Sequence, residues 1–201
     1  MYISNIKLKS PKNTNIFLVT VGENEYIFHS DIIVKYGLSN GSDIDDMKFN
    51  EAYQESEYLI CLNKSIEYMA SRLKTTKQLK EYLYQKGYKK PVIDKVILKL
   101  KEYSVINDEN YATAFIKSNQ DKLSKRNILN KLAQKGINKD ICNETIEEID
   151  DYEVCKKMAE KFMKSKELDK KNIEKLIRHL QYKGFNWDSI GKVLKNYNIE
   201  G

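Results

Sequence analysis

The segment Leu79-Lys80-Glu81-Tyr82-Leu83-Tyr84-Gln85-Lys86-Gly87-Tyr88 occurs three times in this chain, each time with substitutions. It returns as Ile128-Leu129-Asn130-Lys131-Leu132-Ala133-Gln134-Lys135-Gly136-Ile137. It returns again as Leu176-Ile177-Arg178-His179-Leu180-Gln181-Tyr182-Lys183-Gly184-Phe185. The three glycines are 49 and then 48 residues apart. Apolar residues eight and four positions before each glycine lie on one face of a helix. The glycine follows the last turn, where a left-handed residue closes the helix at least cost. The large apolar residue after it covers the helix end.

A second helix is expected beyond each corner. Ile93, Cys142 and Ile190 stand six residues after the glycines, and Ile97, Ile146 and Leu194 stand ten after. Both rows have the i, i+4 spacing of one helix face, so Cys142 reads as a small core residue. A further helical stretch precedes each pair. Its stripe is Ile66, Met69, Ala70 and Leu73 in the first unit and Tyr111, Ala112, Phe115 and Ile116 in the second. In the third it is Val154, Cys155, Met158, Ala159 and Phe162. The chain is therefore expected to be mainly α, with three tandem three-helix repeats over 58–104, 105–150 and 151–201. Stacked helical repeats of this kind bury a continuous core and form an elongated, curved array with a concave face.

Residues 1–57 read as a small β-containing N-terminal module. Ile3 to Leu8 and Ile16 to Val21 read as strands, and Tyr26-Ile27-Phe28 as a third after a turn at Gly22 to Glu25. Ser30 or Asp31 is a candidate cap for a short helix ending at Tyr36-Gly37. Asp43 is a candidate cap for a helix through Phe49 and Tyr53.

In 201 residues, 2 prolines and 8 glycines argue against a turn-rich all-β fold. No apolar run approaches the roughly 20 residues of a membrane helix. The N-terminus, Met1-Tyr2-Ile3-Ser4-Asn5-Ile6-Lys7, shows no signal-peptide pattern. Cys61, Cys142 and Cys155 form no CxxC pair, which fits a reduced, cytoplasmic chain. Charge is uneven: residues 1–60 carry a net −4 and residues 61–201 a net +10. A basic segment on a repeat scaffold points to a polyanionic partner.

No phosphate-binding glycine loop and no metal-ligand spacing is present, so neither a metal nor a cofactor is expected. His29 and His179 read as surface or partly packed residues. Asn107-Asp108-Glu109 and Asp150-Asp151 precede helices and read as caps and helix-start acids. No nucleophile–base pair emerges, so the chain is read as no enzyme. Lys86, Lys135 and Lys183, at the last helical turn, complement the macrodipole or present a periodic row of cations. Arg72 and Lys74, with Lys77, and the run Lys122, Lys125 and Arg126 fall at helix ends or connections. With Arg178 they complete the candidate partner- or DNA-binding set, because Arg forms bidentate contacts with phosphates and carboxylates.

Three features resemble RecX, the bacterial regulatory family that modulates the RecA recombinase. One is Tyr68-Met69-Ala70-Ser71-Arg72-Leu73-Lys74-Thr75-Thr76-Lys77-Gln78-Leu79 running into Leu83 and Lys86-Gly87-Tyr88. The second is Val105-Ile106-Asn107-Asp108-Glu109-Asn110-Tyr111-Ala112. The third is Ile128, Leu132 and Lys135-Gly136-Ile137. The N-terminal extension, with Leu38-Ser39-Asn40-Gly41, resembles the longer Gram-positive members. The resemblance covers about 58–200 well; Ser124 stands where many members have glycine, and Asp169 to Leu194 matches most weakly. It implies a non-enzymatic protein of the cytoplasm acting in DNA repair, recombination and the SOS response; a three-repeat array with its own caps is expected to be a monomer. Such a protein lodges in the groove of the RecA–DNA filament and limits filament growth, ATPase and strand exchange. The alternative reading is a sequence-independent module that binds single- or double-stranded DNA directly.

Overall fold

Ile3, Val19 and Phe28, one from each of three neighbouring strands, are fully buried and turn the N-terminal strands toward one core. The strands are β1 (Tyr2–Ser10), β2 (Asn13–Val21), β3 (Asn24–His29) and β4 (Ser42–Asp43), in antiparallel order β3-β2-β1-β4. The computed structural model describes residues 1–142 and 146–197, which fall into two units. One comprises residues 1–74 and 78–106; the other comprises 75–77 and 107–197. The two-residue β4 was not foreseen, because two residues are too few to show an alternation.

In the first unit, α1 (Ser30–Tyr36) ends at Gly37 with φ +63°. Neither Ser30 nor Asp31 caps it. The cap is His29, whose Nδ1 accepts from the Asp31 N–H at 3.2 Å. His29 is therefore buried, not on the surface or only partly packed. The next helix, α2 (Asp46–Ala70), starts from an Asp45 cap, two residues beyond the expected Asp43. Its 25 residues run unbroken through positions 57 and 58. Near its start, Phe49 and Ala52 pack on the sheet, where Tyr26 meets Phe49 edge-on at 5.1 Å. Farther along, Cys61 joins the core of the first repeat with α3 (Thr76–Gln85) and α4 (Lys90–Glu102).

Of the stripe expected from Ile66, Met69, Ala70 and Leu73, only Met69 packs partly buried on the core and the other three are exposed; the buried positions beyond Phe49 and Ala52 are Ser56, Cys61 and Ser65. Ser65 donates its hydroxyl to the Cys61 carbonyl at 2.7 Å, which satisfies it without solvent. A hydropathy scan reads such a serine as polar and places the stripe on the wrong face.

In the second unit, α5 (Asp108–Asn119), α6 (Lys125–Gln134), a 3₁₀ turn at Lys139–Cys142, α7 (Asp151–Met163), α8 (Lys170–Tyr182) and α9 (Trp187–Lys195) share one core. It runs from Ala112 and Ile116 through Ile128, Leu132 and Cys155 to Leu176, Leu180 and Ile190. This continuity across the second and third repeats is how stacked repeats bury faces that none could bury alone. The helix expected from Cys142 to Ile146 crosses residues 143–145, which lie outside the described residues.

All three Lys-Gly corners close alike. Gly87, Gly136 and Gly184 have φ of +87°, +82° and +90°. Each glycine N–H bonds three residues back, to Tyr84, Ala133 and Gln181. The next residue's N–H reaches Leu83, Leu132 and Leu180. This is the Schellman closure, in which the apolar residue after the glycine packs back on its helix.

Candidate partner-binding site

The corners do more than end helices. In the second unit each receives the start of the preceding repeat's middle helix. Thr75 donates its hydroxyl to the Lys135 carbonyl at 2.8 Å, and Lys77 Nζ donates to the Gln134 carbonyl at 3.0 Å. At the next corner the Ser124 N–H donates to the Lys183 carbonyl at 3.2 Å, and Asn127 Nδ2 donates to the Tyr182 carbonyl at 3.4 Å. These are the last carbonyls of each helix, which otherwise lack partners.

Acids lock the same joints. Asn107 caps α5, which leaves Asp108 to accept the Thr76 N–H at 2.8 Å. Asp150 caps α7, which leaves Asp151 to accept the Lys125 N–H at 2.8 Å. Sequence reasoning read both pairs as local caps and helix-start acids. One member of each pair instead accepts a backbone N–H from a segment outside its own helix. Asp108→Ala and Asp151→Ala are each expected to cost about 1–3 kcal/mol, since a charge-assisted acceptor is lost and a backbone donor is left unpaired. Urea denaturation checks this; a loss no larger than that of an exposed Asp140→Ala control would contradict it.

The joints gather cations from different repeats. The first places Lys77 beside the Lys135 corner. At the second, α6 begins with Lys125 and the exposed Arg126 and meets the corner that carries Lys183; Tyr182 of that corner is exposed, as is Trp187 three residues beyond its glycine. Lys135 lies over the Tyr111 ring at 6.0 Å and Lys183 over Tyr182 at 6.0 Å. Arg126 and Arg178 are exposed. Lys125 Nζ donates to the Glu147 carbonyl and Lys122 Nζ to the Ser118 carbonyl, each at 3.1 Å. In the first unit Arg72 and Lys86 are exposed, and Lys86 sits 5.6 Å from the centre of the Tyr82 ring. Lys74 is buried instead, its ammonium 4.5 Å from the centre of the Tyr68 ring. Burial, and then the charge of Arg72, lowers its pKa from the usual lysine value. Tyr182 and Trp187, both exposed, were not among the candidate residues read from the sequence.

His179 stacks on Phe162 with ring centres 5.1 Å apart. Burial first, then the charges of Lys183 and Lys166, lower its pKa. The folded chain therefore binds this proton less readily than the unfolded chain. Its contribution to stability is complete above the ordinary value of about pH 6.5 and falls away as the pH drops below it. His179→Gln is expected to flatten the fall in melting temperature between pH 7.5 and 5.5; an unchanged slope would show that other groups cause it.

Burial raises the thiols of Cys61 and Cys155 to about 12, which leaves them inert at neutral pH. Among the described residues no cluster of His, Cys, Asp or Glu is arranged to hold a metal ion, and no helix is long and apolar enough to cross a membrane.

The first three-helix domain of RecX matches residues 61–100, and the third three-helix domain of RecX matches residues 148–194. The regulatory protein RecX of Clostridium perfringens strain SM101 is 32% identical over 173 residues, covering 83% of this chain and 82% of that protein. The chain belongs to the RecX family. The RecX of Bacillus subtilis strain 168 is 27% identical over 201 residues, covering 96% of this chain and 75% of its own. A crystal structure of a regulatory protein RecX superposes with a TM-score of 0.68 at 17% identity, over 97% of this chain and 98% of that one. The crystal structure of RecX from Lactobacillus salivarius gives 0.61 at 23% identity, over 71% and 97%. These two likenesses show the RecX fold, a mainly helical chain with an N-terminal antiparallel sheet.

Proposed function

We propose that this chain is a non-catalytic regulator of the RecA recombinase in the cytoplasm. It binds the RecA–DNA filament through the cation-bearing joints of its repeats. The observation that carries this reading is the second joint, where α6, which begins with Lys125 and the exposed Arg126, meets the Tyr182-Lys183 corner, with Tyr182 and Trp187 exposed. Arg with exposed aromatic residues is the composition that concentrates binding energy at interfaces. Family membership supports a regulatory role. Bound there, the chain limits filament growth and lowers ATPase and strand exchange, and so acts in recombination and repair.

The test is the single-stranded-DNA-dependent ATPase of cognate RecA, titrated with this protein at two salt concentrations. ATPase is expected to fall at substoichiometric protein, and to do so at salt that abolishes the protein's own DNA binding. Phosphate contacts weaken steeply with salt. A loss that instead needs enough protein to cover the DNA, and disappears with DNA binding, would assign the chain to the sequence-independent nucleic-acid-binding class. Unchanged ATPase at saturating protein would overturn the proposal.

A further inference from the structure

The three corners share one closure, but they do not share one environment. A Cβ built on Gly136 would lie 2.7 Å from Lys77 Cβ, and one on Gly184 would lie 2.6 Å from Ser124 Oγ. A Cβ on Gly87 would meet nothing within 4 Å. The carbonyls two and one positions before Gly136 and Gly184 accept from a preceding helix start. Their counterparts before Gly87, those of Gln85 and Lys86, receive no donor from the described residues. The first repeat has no repeat before it, and its corner is left open. A cavity of about 600 Å³ lies against it, lined by Lys86, Gly87 and Tyr88, by Asn63 and Lys64 of α2, and by Asn15 of β2. That volume lies within the roughly 300–1,000 Å³ of ligand pockets.

We infer that the Gly87 corner is a docking site for a helix start from another protein, made of a Ser or Thr followed two or three residues later by Lys or Asn. The two filled corners define this chemistry. The first takes Thr75 and Lys77; the second takes Ser124 and Asn127, with the Lys77 side chain or those of Ser124 and Asn127 pressed onto a glycine that has no side chain to hold them off. The hydroxyl or backbone N–H supplies the Lys carbonyl, and the longer side chain supplies the carbonyl before it. Among the described residues, a second copy of this chain offers no such end. Its Thr75 and Ser124 starts are already engaged. Its remaining middle helix, α8, starts from Asp169, which has no hydroxyl, and the Nδ2 of Asn172 three residues on already donates to the Glu167 carbonyl at 3.1 Å. The site does not depend on the RecA reading.

The experiment adds a synthetic peptide spanning residues 72–84 to the isotope-labelled full chain and follows backbone amide shifts. The amides of Lys86, Gly87 and Tyr88 are expected to move in a saturable way. Gly87→Asn keeps a residue that tolerates positive φ while placing a side chain in the docking space. It is expected to weaken binding at least tenfold. A peptide carrying Thr75→Val and Lys77→Met is expected to weaken it equally. No movement at Gly87 up to about 1 mM peptide, movement confined to Gly136 and Gly184, or equal affinity for Gly87→Asn would each overturn the proposal. So would a concentration-dependent mass that Gly87→Asn abolishes, because the occupant would then be a second copy.

Discussion

Replacing Gly184 with alanine is expected to cost about 2–5 kcal/mol, against about 1–2 kcal/mol for the same change at Gly87. Both substitutions put a side chain at positive φ, and that strain is common to all three corners. Only at Gly184 does the new Cβ meet Ser124 Oγ at 2.6 Å and Asn127 Cβ at 2.7 Å. Ser124 cannot retreat. Its Oγ accepts from the Asn127 N–H at 3.2 Å, its N–H is bonded to the Lys183 carbonyl, and its side chain is buried. Gly136→Ala meets Lys77 Cβ at 2.7 Å, an atom tied to the backbone, and belongs with Gly184→Ala. For a chain of this size each kcal/mol is worth about 2–4 °C in melting temperature. Calorimetry on the three single variants should therefore show two large shifts and one small one. Three equal shifts would mean that the corners act only as helix ends and that the joints contribute little.

The paired reversal Arg126→Glu with Lys183→Glu is expected to raise the concentration needed for half-inhibition of RecA ATPase about tenfold or more, equivalent to about 1.4 kcal/mol or more of binding. Both side chains belong to the second joint, where α6 meets the Tyr182-Lys183-Gly184 corner. Arg126 is exposed, so its loss removes no core packing. Lys183 lies over Tyr182 at 6.0 Å, and its reversal removes a weak cation–π contact. The fold should survive, with a circular dichroism spectrum and melting temperature close to those of the unmodified chain. Lys12→Glu, exposed in the hairpin between β1 and β2, is the control and should leave inhibition unchanged. Equal weakening by both variants would show that net charge, and not the joint, attracts the filament.

The repeats, their corners and most helix faces are legible in the sequence, because these depend on spacings of three to ten residues. The apolar rows before and after Gly136 and Gly184 fall on the buried face the periodicity predicts, from Ile128 and Leu132 to Leu176 and Leu180. The same local rules narrow the α5 cap to Asn107 or Asp108, of which Asn107 is the cap, and place Asp150-Asp151 at a helix start. The failures are local too. His29 replaces the usual oxygen acceptor with a ring nitrogen, and β4 is too short to carry a pattern. In α2 the serines at 56 and 65 occupy a buried face that hydropathy assigns to solvent.

The candidate site divides differently. The ten cations could be chosen from the sequence, but their roles could not. Lys74 lies buried on Tyr68, and Lys77 and Lys125 donate to backbone carbonyls, while Arg72, Arg126 and Arg178 stay exposed. The sequence by itself determined the repeat unit, since a helix face and a glycine-closed end are set by side chains within a few turns of one another. Only the tertiary structure decided which corner is filled. Thr75 meets Lys135 across 60 residues, and Asn127 meets Tyr182 across 55. No short-range periodicity records such pairings. They exist because carbonyls left over at one helix end are satisfied by donors from a segment far away in the sequence.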